Sequence, residues 1–174
     1  MINFLRLVGV FNAAVWFGAT IFHLIGVSNA LSSQEMNRIF GEFYAAVALQ
    51  MTARSFYLLQ HWCGAIALVH LVAEWLYMGK PMERLHLWLV TTLFLLGLIG
   101  GFWLQPRINQ LHRAKHMEPT TELQEQAADS LRVWSTVSGI LHLLVAAGLV
   151  VHVYRVTTPV TTPRFQFPGL TNRL

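Results

Sequence analysis

Four long apolar stretches decide what this chain can fold into. They cover about residues 4–27, 56–78, 85–104 and 133–154. As helices that rise about 1.5 Å per residue, all four are long enough to cross about 30 Å of hydrocarbon. Lipid offers no hydrogen-bond partners, so only a helix satisfies the backbone of an isolated span. The sequence therefore predicts an all-α, integral-membrane four-helix bundle over residues 1–156, a multi-pass protein in contact with the lipid bilayer.

Composition supports a membrane location and excludes several functions. Hydrophobic residues make up 55% of the chain and charged residues only 11%, against roughly 25% charged residues in soluble domains. Lys and Arg are scattered, without the basic patch that nucleic acid requires. Cys63 is the only cysteine, which excludes an intramolecular disulfide and a cysteine-ligated iron–sulfur cluster.

The connection between the first two spans predicts an additional helix over about residues 33–52. Ser32 and Glu35 match a capping box at its start. Apolar residues then recur at helical spacing: Met36, Ile39, Phe40, Phe43, Tyr44, Val47 and Met51. This pattern indicates an amphipathic helix on the membrane surface or over the end of the bundle, or one that runs straight into the second span.

Other segments suggest connections and contact surfaces. Gly79-Lys80-Pro81 predicts a tight turn between the second and third spans. Gly97 and Gly101 form a GxxxG pair that permits close helix contact. The Pro- and Thr-rich residues 157–174 predict an extended tail. The tail and the Gly97/Gly101 face are candidate docking surfaces for other membrane subunits.

The orientation in the membrane follows only weakly from charge. The 12 Lys and Arg residues divide equally between the two predicted sides, so the positive-inside rule does not decide. The acidic residues gather on the side opposite the termini, and we expect cytoplasmic N- and C-termini.

Four histidines lie in the predicted spans other than those assigned to span ends: His23, His61, His70 and His142. Ionisable side chains in hydrocarbon are costly and commonly mark functional sites. Counted from the end that carries the 29–54 connection, His23 and His61 lie about 7 Å deep, His142 about 13 Å and His70 about 21 Å. Two imidazoles at one level can ligate a b-type haem or a transition metal. His23 with His61 is the first candidate pair, and His70 or His142 are the alternates.

Helical geometry restricts these combinations. His61 and His70 are nine residues apart, which places them on opposite faces of one helix, so they cannot serve one site. The competing interpretation for the deeper histidines is an interhelical hydrogen bond, and for His23 a bond to a loop carbonyl. The remaining histidines lie at span ends or in a loop, where solvated imidazole is the default: His86, His112, His116 and His152.

A second level of ionisable residues lies near the opposite face of the membrane. Glu74 and His152 are both about 27 Å deep on the same scale. A carboxylate level with an imidazole can form an ion pair or a step in a proton or ion path.

Polar residues of the first span share one face. Asn12, Trp16, Thr20 and His23 are spaced by 4, 4 and 3 residues, as one side of a helix requires. Ser138 and His142 repeat this spacing on the fourth span. We expect both faces to point towards other helices.

Three short motifs resemble a known family. They are Trp16-Phe17-Gly18 followed by Phe22, Phe40-Gly41-Glu42-Phe43-Tyr44, and Trp103-Leu104-Gln105-Pro106-Arg107, with a fourth span that begins around Ser138. Over about residues 4–155 the chain resembles the four-helix family that includes transmembrane protein 205, domain of unknown function 4149.

That family is distantly similar to copper-resistance D-like proteins and to haem-binding membrane protoporphyrinogen oxidases. The resemblance implies a four-helix bundle and a haem or metal site. Ser135 stands where the family's histidine is expected, and His142 stands where its asparagine is expected.

Three functions follow from these features. The first is electron transfer by a b-type haem or a metal held by intramembrane histidines. The second is a non-catalytic accessory subunit of a larger membrane complex. The third is transport of an ion or small solute along an inward polar path through His70, Glu74 and His142. Because no hydrolase triad, phosphate-binding glycine loop or zinc signature occurs, a redox carrier or accessory subunit fits better than a stand-alone enzyme.

Overall fold

The computed structural model describes residues 2–78, 84–118 and 120–158, which are almost entirely helical and contain no strand. Its helices are α1 (Ile2–Ile21), α2 (Ser28–Leu31), α3 (Gln34–Phe40), α4 (Glu42–Met78), α5 (Arg84–Ile99), α6 (Gln105–Met117) and α7 (Thr121–Thr157). Two π-helical turns, Phe22–Val27 and Gly100–Leu104, join α1 to α2 and α5 to α6. The predicted turn at residues 79–81 and the predicted tail from residue 159 onwards lie outside the described residues.

Four candidate membrane spans result, as the sequence predicts. They are Phe4–Leu31, Glu42–Leu76, Arg84–Met117 and Thr121–Thr157. Every one of them is longer than the apolar stretch that it contains, because the helix continues into polar sequence. The described residues therefore form an all-helical protein whose four long helices suit a bilayer.

Helix contacts fix how the four long helices lie. α1 packs against α4 and α7, and α5 packs against the same two helices. The start of α1 lies next to the end of α4, since the His70 imidazole contacts the Leu5 carbonyl. The start of α5 lies next to the end of α7 through His86 and His152. The start of α1 and the end of α7 thus lie at one end of the structure, while the side of the membrane that they face stays a prediction.

The segment expected to be one amphipathic helix over about residues 33–52 is two helices in the structure. Ser33 caps α3 by accepting a hydrogen bond from the Met36 backbone nitrogen at 3.2 Å. α3 ends at Gly41, whose φ of 78° and ψ of 152° are readily reached only without a Cβ atom. α4 begins immediately afterwards and continues unbroken through the second span. From Glu42 onwards, this segment and the second span therefore form one continuous helix, which was the alternative expectation.

Pro106 lies inside a continuous helical segment, although the apolar run ends there. Proline lacks a backbone N–H and its ring clashes with the carbonyl four residues earlier. The wider turn at Gly100–Leu104 immediately precedes it, and such π-helical turns relieve local conflicts in the hydrogen-bond ladder. The third span therefore extends as α6 to Met117.

Two apolar clusters fill the interior. The larger one joins α1, α4, α5 and α7 through Trp16, Cys63, Ala67, Leu71, Val90, Leu93, Val145 and Leu149. The smaller one joins the end of the third span and α6 to α7 through Leu104, Ile108, Leu111 and Leu131. Large apolar side chains such as Phe4, Leu7 and Phe11 stay exposed, as expected for a surface that faces lipid.

Glycines allow close approach between α4 and α5. A Cβ atom on Gly97 would lie 3.3 Å from the Gln60 side chain, and one on Gly101 would lie 2.9 Å from the His61 ring. The Gly97/Gly101 face, expected to be open to other subunits, is therefore occupied by α4 of the same chain. The GxxxG pair serves an internal helix contact.

Gly64 provides a test of this packing. A Cβ atom added there would lie 2.5 Å from the Phe94 ring and 3.4 Å from the Phe94 Cβ atom, so the aromatic side chain cannot simply swing away. We expect Gly64→Ala to lower the free energy of unfolding by about 1–3 kcal/mol and to lower the melting temperature in detergent. Gly139→Ala is the matched control, since its Cβ atom would meet nothing within 4 Å. Equal melting temperatures for the two variants would contradict the packing described.

Candidate functional site

Two predicted site histidines meet between α7 and the π-helical turn that follows α1. The His23 and His142 ring centres are 5.7 Å apart. Phe56 of α4 stacks on His23 at 4.2 Å and contacts His142 at 5.5 Å, and Tyr57 lies 5.6 Å from His142. We call His23, Phe56, Tyr57, Ser138 and His142 the His23–His142 centre.

The polar face predicted for the first span is confirmed and leads to this centre. Asn12, Trp16, Thr20 and His23 are all buried. His23 itself lies in the π-helical turn Phe22–Val27, where the extra residue per turn alters the direction of the side chains. Such turns occur frequently at functional sites.

The hydrogen bond of His142 determines which of its nitrogens is free. Nδ1 lies 2.7 Å from the Ser138 carbonyl oxygen, and a carbonyl only accepts, so Nδ1 carries the proton. In the neutral ring Nε2 then has a lone pair. Nε2 is buried and makes no hydrogen bond within the described part of the chain. His142 is therefore held in the tautomer that a ligand to a metal needs.

His61 does not join His23, although both lie near the same level. Its Nε2 atom donates a hydrogen bond to the Gly97 carbonyl at 3.1 Å, and its ring stacks on Phe102 at 5.1 Å. Phe56 of α4 contacts His23. His61 follows Phe56 by five residues, which rotates its position about 140° around the helix axis, so the two side chains point in different directions. His142 takes the position beside His23 that the depth count gave to His61.

A second histidine group lies at the other end of the helices. His70 donates a hydrogen bond to the Leu5 carbonyl at 2.8 Å, and a Cβ atom on Gly9 would lie 2.6 Å from its ring. His86 Nε2 and His152 Nδ1 are 3.1 Å apart, and the indole of Trp16 lies edge-on to His152 at 6.0 Å. His70 is thus separate from the His23–His142 centre.

The expected pairing of Glu74 with His152 is replaced by one between two histidines. Glu74 is half-buried and makes no ion pair or hydrogen bond with another described residue. His86, assigned to a solvated span end, is the partner of the buried His152 instead. The comparison of depths could have identified this pair, because His86 lies near the start of the third span and His152 lies at the same level near the end of the fourth.

The donor set decides which cofactor these histidines suit. The described residues contain no group of three or more His, Cys, Asp or Glu side chains that could hold a metal ion. A structural or catalytic zinc site needs at least three protein ligands, whereas a haem iron needs only one or two axial ligands from the protein. The His23–His142 centre therefore matches haem better than a bare ion in its number of donors.

Distance agrees with haem ligation, but the space beside the rings is filled. The ring centres of His23 and His142 are 5.7 Å apart, a separation at which both imidazoles could hold one haem iron. Phe56 lies next to both rings and occupies space that a porphyrin would need. The donors fit a haem, and the room for it requires Phe56 to turn away.

The His86–His152 contact generates a test that does not depend on any cofactor. Direct partners should show a coupling energy of about 0.5–3 kcal/mol in a double-mutant cycle. We expect His86→Ala and His152→Ala together to lower the free energy of unfolding in detergent by less than the sum of the single changes. His61→Ala with His152→Ala is the control pair, whose effects should add because His61 bonds to Gly97. Additivity in both pairs would contradict the His86–His152 hydrogen bond.

Comparison with known proteins places the chain in a family. The sequence model of the family described as Domain of unknown function (DUF4149) matches residues 11–117, more than half of the 174 residues. The matched part includes His23 and Phe56, whereas His142 lies beyond it. Neither the curated proteins nor the solved structures include a significant match. The chain belongs to the DUF4149 family.

Proposed function

We propose that this membrane protein binds a b-type haem between the first span and α7, where His23 and His142 would hold it, and serves in electron transfer. The observation that carries the proposal is the free Nε2 atom of His142, buried beside His23 with its ring fixed through Nδ1. A bound haem would supply one-electron chemistry at its iron.

The surroundings support this assignment. The hydrogen bond from Nδ1 to the Ser138 carbonyl raises the basicity of the ligating nitrogen and sets the ring orientation. The His23 imidazole stacks on Phe56 and makes no hydrogen bond to another described residue that would compete with ligation. The resemblance to the family of transmembrane protein 205, and through it to haem-binding membrane protoporphyrinogen oxidases, is consistent with the same cofactor.

An absorption spectrum of protein produced with haem available tests the proposal. We expect a Soret band, and sharpened α and β bands after reduction with dithionite. His23→Ala and His142→Ala should each remove the bis-histidine spectrum while the protein still inserts into the membrane. His61→Ala is the matched control and should keep it, since His61 bonds to Gly97. A featureless spectrum, or one that depends on His61 instead, would overturn the proposal.

Substitution of Phe56 provides a second test in the same experiment. Because its ring lies in the space that a porphyrin needs, Phe56→Ala should bind haem at least as fully as the unchanged protein. Loss of haem binding in Phe56→Ala would contradict the view that this ring occupies the space of the porphyrin.

The second histidine group favours proton or ion conduction as an alternative function. His86 and His152 share a hydrogen bond, and His152 is buried beside Trp16. Such pairs can pass a proton between them. The alternative predicts proton flux into liposomes that contain the protein, and loss of this flux in Glu74→Gln or His152→Ala. Absence of proton flux with the unchanged protein would exclude it.

An accessory role in a larger complex stays a prediction. The tail from residue 159 onwards lies outside the described residues, and the Gly97/Gly101 face packs against α4. Loss of co-purifying subunits after deletion of residues 159–174 would support that role.

A further inference from the structure

The polar helix α6 continues the third span beyond its apolar run, and the end of α6 reaches the start of α4. Lys115 of α6 forms an ion pair with Glu42, the first residue of α4. The His116 ring lies edge-on to the Phe43 ring, with centres 5.6 Å apart, and His112 precedes His116 by one turn on the same face of α6. We call Glu42, Phe43, His112, Lys115 and His116 the Glu42–Lys115 contact.

Between this contact and the third span, α4 and α6 leave a gap. A pocket of about 680 Å³ extends from Gly101 and Gln105, at the base of α6, to Phe43 and Met117 at its outer end. The two helices are antiparallel, because the start of α4 meets the end of α6. The Glu42–Lys115 contact therefore closes the outer end of the pocket, and its loss would widen the gap between the helices.

Both histidines of the contact have a buried ring nitrogen without a partner. His112 Nδ1 and His116 Nε2 make no hydrogen bond to another described residue. In a neutral imidazole one nitrogen carries the proton and the other has a lone pair, so a buried nitrogen can keep the lone pair. Protonation puts an N–H on both nitrogens, and each buried nitrogen would become a donor without an acceptor. Because burying an unpaired charged group is costly, the closed contact favours neutral histidines.

The charges around the two histidines also oppose a further proton. Glu42 of α4 is already paired with Lys115, while Arg54 of α4 and Arg113 of α6 line the pocket and add positive charge. α7 packs against α6 through the apolar side chain of Leu131. Among the described residues, the acidic side chains around the start of α7 form no ion pair with either histidine: Glu118, Glu122, Glu125 and Asp129. Protonated histidines would therefore share with Lys115 the single carboxylate of Glu42.

The packing of α6 determines which parts would separate. Ile108 and Leu111 of α6 form an apolar cluster with Leu131 of α7, and this cluster does not include α4. Loss of the Glu42–Lys115 contact would leave it intact. The start of α4 would then move away from a pair of helices, α6 and α7, that stay together.

We propose that the Glu42–Lys115 contact is a pH-sensitive latch, which is closed while His112 and His116 are neutral and opens when they are protonated in mildly acidic solution. A solvated imidazole takes up a proton below about pH 6.5. The latch is therefore closed at neutral and basic pH, and it opens as the pH falls below this value. It is separate from the His23–His142 centre and needs no haem.

The distance between α4 and α6 at different pH tests the proposal. Tyr44 of α4 and Met117 of α6 are 68% and 67% exposed, so nitroxide labels on Tyr44→Cys/Met117→Cys should leave the fold intact. The native Cys63 is buried and should stay unlabelled. Pulsed electron paramagnetic resonance of the full chain in detergent should give a longer distance at about pH 5 than at about pH 8, with a midpoint below about pH 6.5.

Variants of the labelled chain identify the group that titrates. His112→Gln/His116→Gln should keep the short distance at both pH values, because glutamine takes up no proton. His86→Gln is the matched control, since His86 lies at the opposite end of the helices beside His152, and it should keep the full response. Glu42→Gln should move the midpoint to higher pH, because the cations lose their carboxylate.

Three results would overturn the proposal. A distance that is the same in acidic and basic solution would show that the contact does not open. A response that persists in His112→Gln/His116→Gln would assign it to other groups. A response that Glu42→Gln abolishes would show that the carboxylate, and not the histidines, senses the pH.

Discussion

The arrangement of the helices depends on side chains that donate hydrogen bonds to backbone carbonyls of neighbouring helices. Asn12 of α1 donates to the Cys63 carbonyl of α4 at 2.9 Å, and His70 of α4 donates back to the Leu5 carbonyl of α1. His61 joins α4 to the Gly97 carbonyl of the third span in the same way. In lipid, apolar contact alone gives little preference for one helix register over another, so these polar contacts fix the register.

Two of the predicted cofactor ligands therefore have a structural role. His61 and His70 both use Nε2 to hold a neighbouring helix, which is the interhelical hydrogen bond that was weighed against ligation. His142 uses Nδ1 on its own helix and keeps Nε2 free. The structural histidines therefore differ from the candidate ligand in which ring nitrogen forms the hydrogen bond: Nε2 is used in His61 and His70, and it is free in His142.

The sequence predicted the four spans and the buried face of α1, because both depend on the hydropathy and spacing of residues within one helix. It also predicted depth, which follows from a rise of about 1.5 Å per residue. It could not predict how α4 is rotated, since rotation depends on contacts between helices. For that reason Phe56, which depth alone does not distinguish, is the α4 residue that contacts His23, and His142 takes the position beside His23 that His61 was expected to fill. The break at Gly41 was also missed, although a glycine between two amphipathic segments was visible.

Opening the His23–His142 centre to a haem would require the Phe56 ring to leave its contact with His23. An aromatic stacking pair contributes about 0.5–1.5 kcal/mol beyond its buried area, so turning Phe56 away from His23 loses this energy in addition to the packing of a buried ring. A large apolar cluster that contains Val90 and Leu149 separates this centre from the His86–His152 pair. Trp16 belongs to that cluster, and its indole nitrogen has no hydrogen-bond partner among the described residues. A proton would have to cross this apolar layer to pass between the two histidine groups.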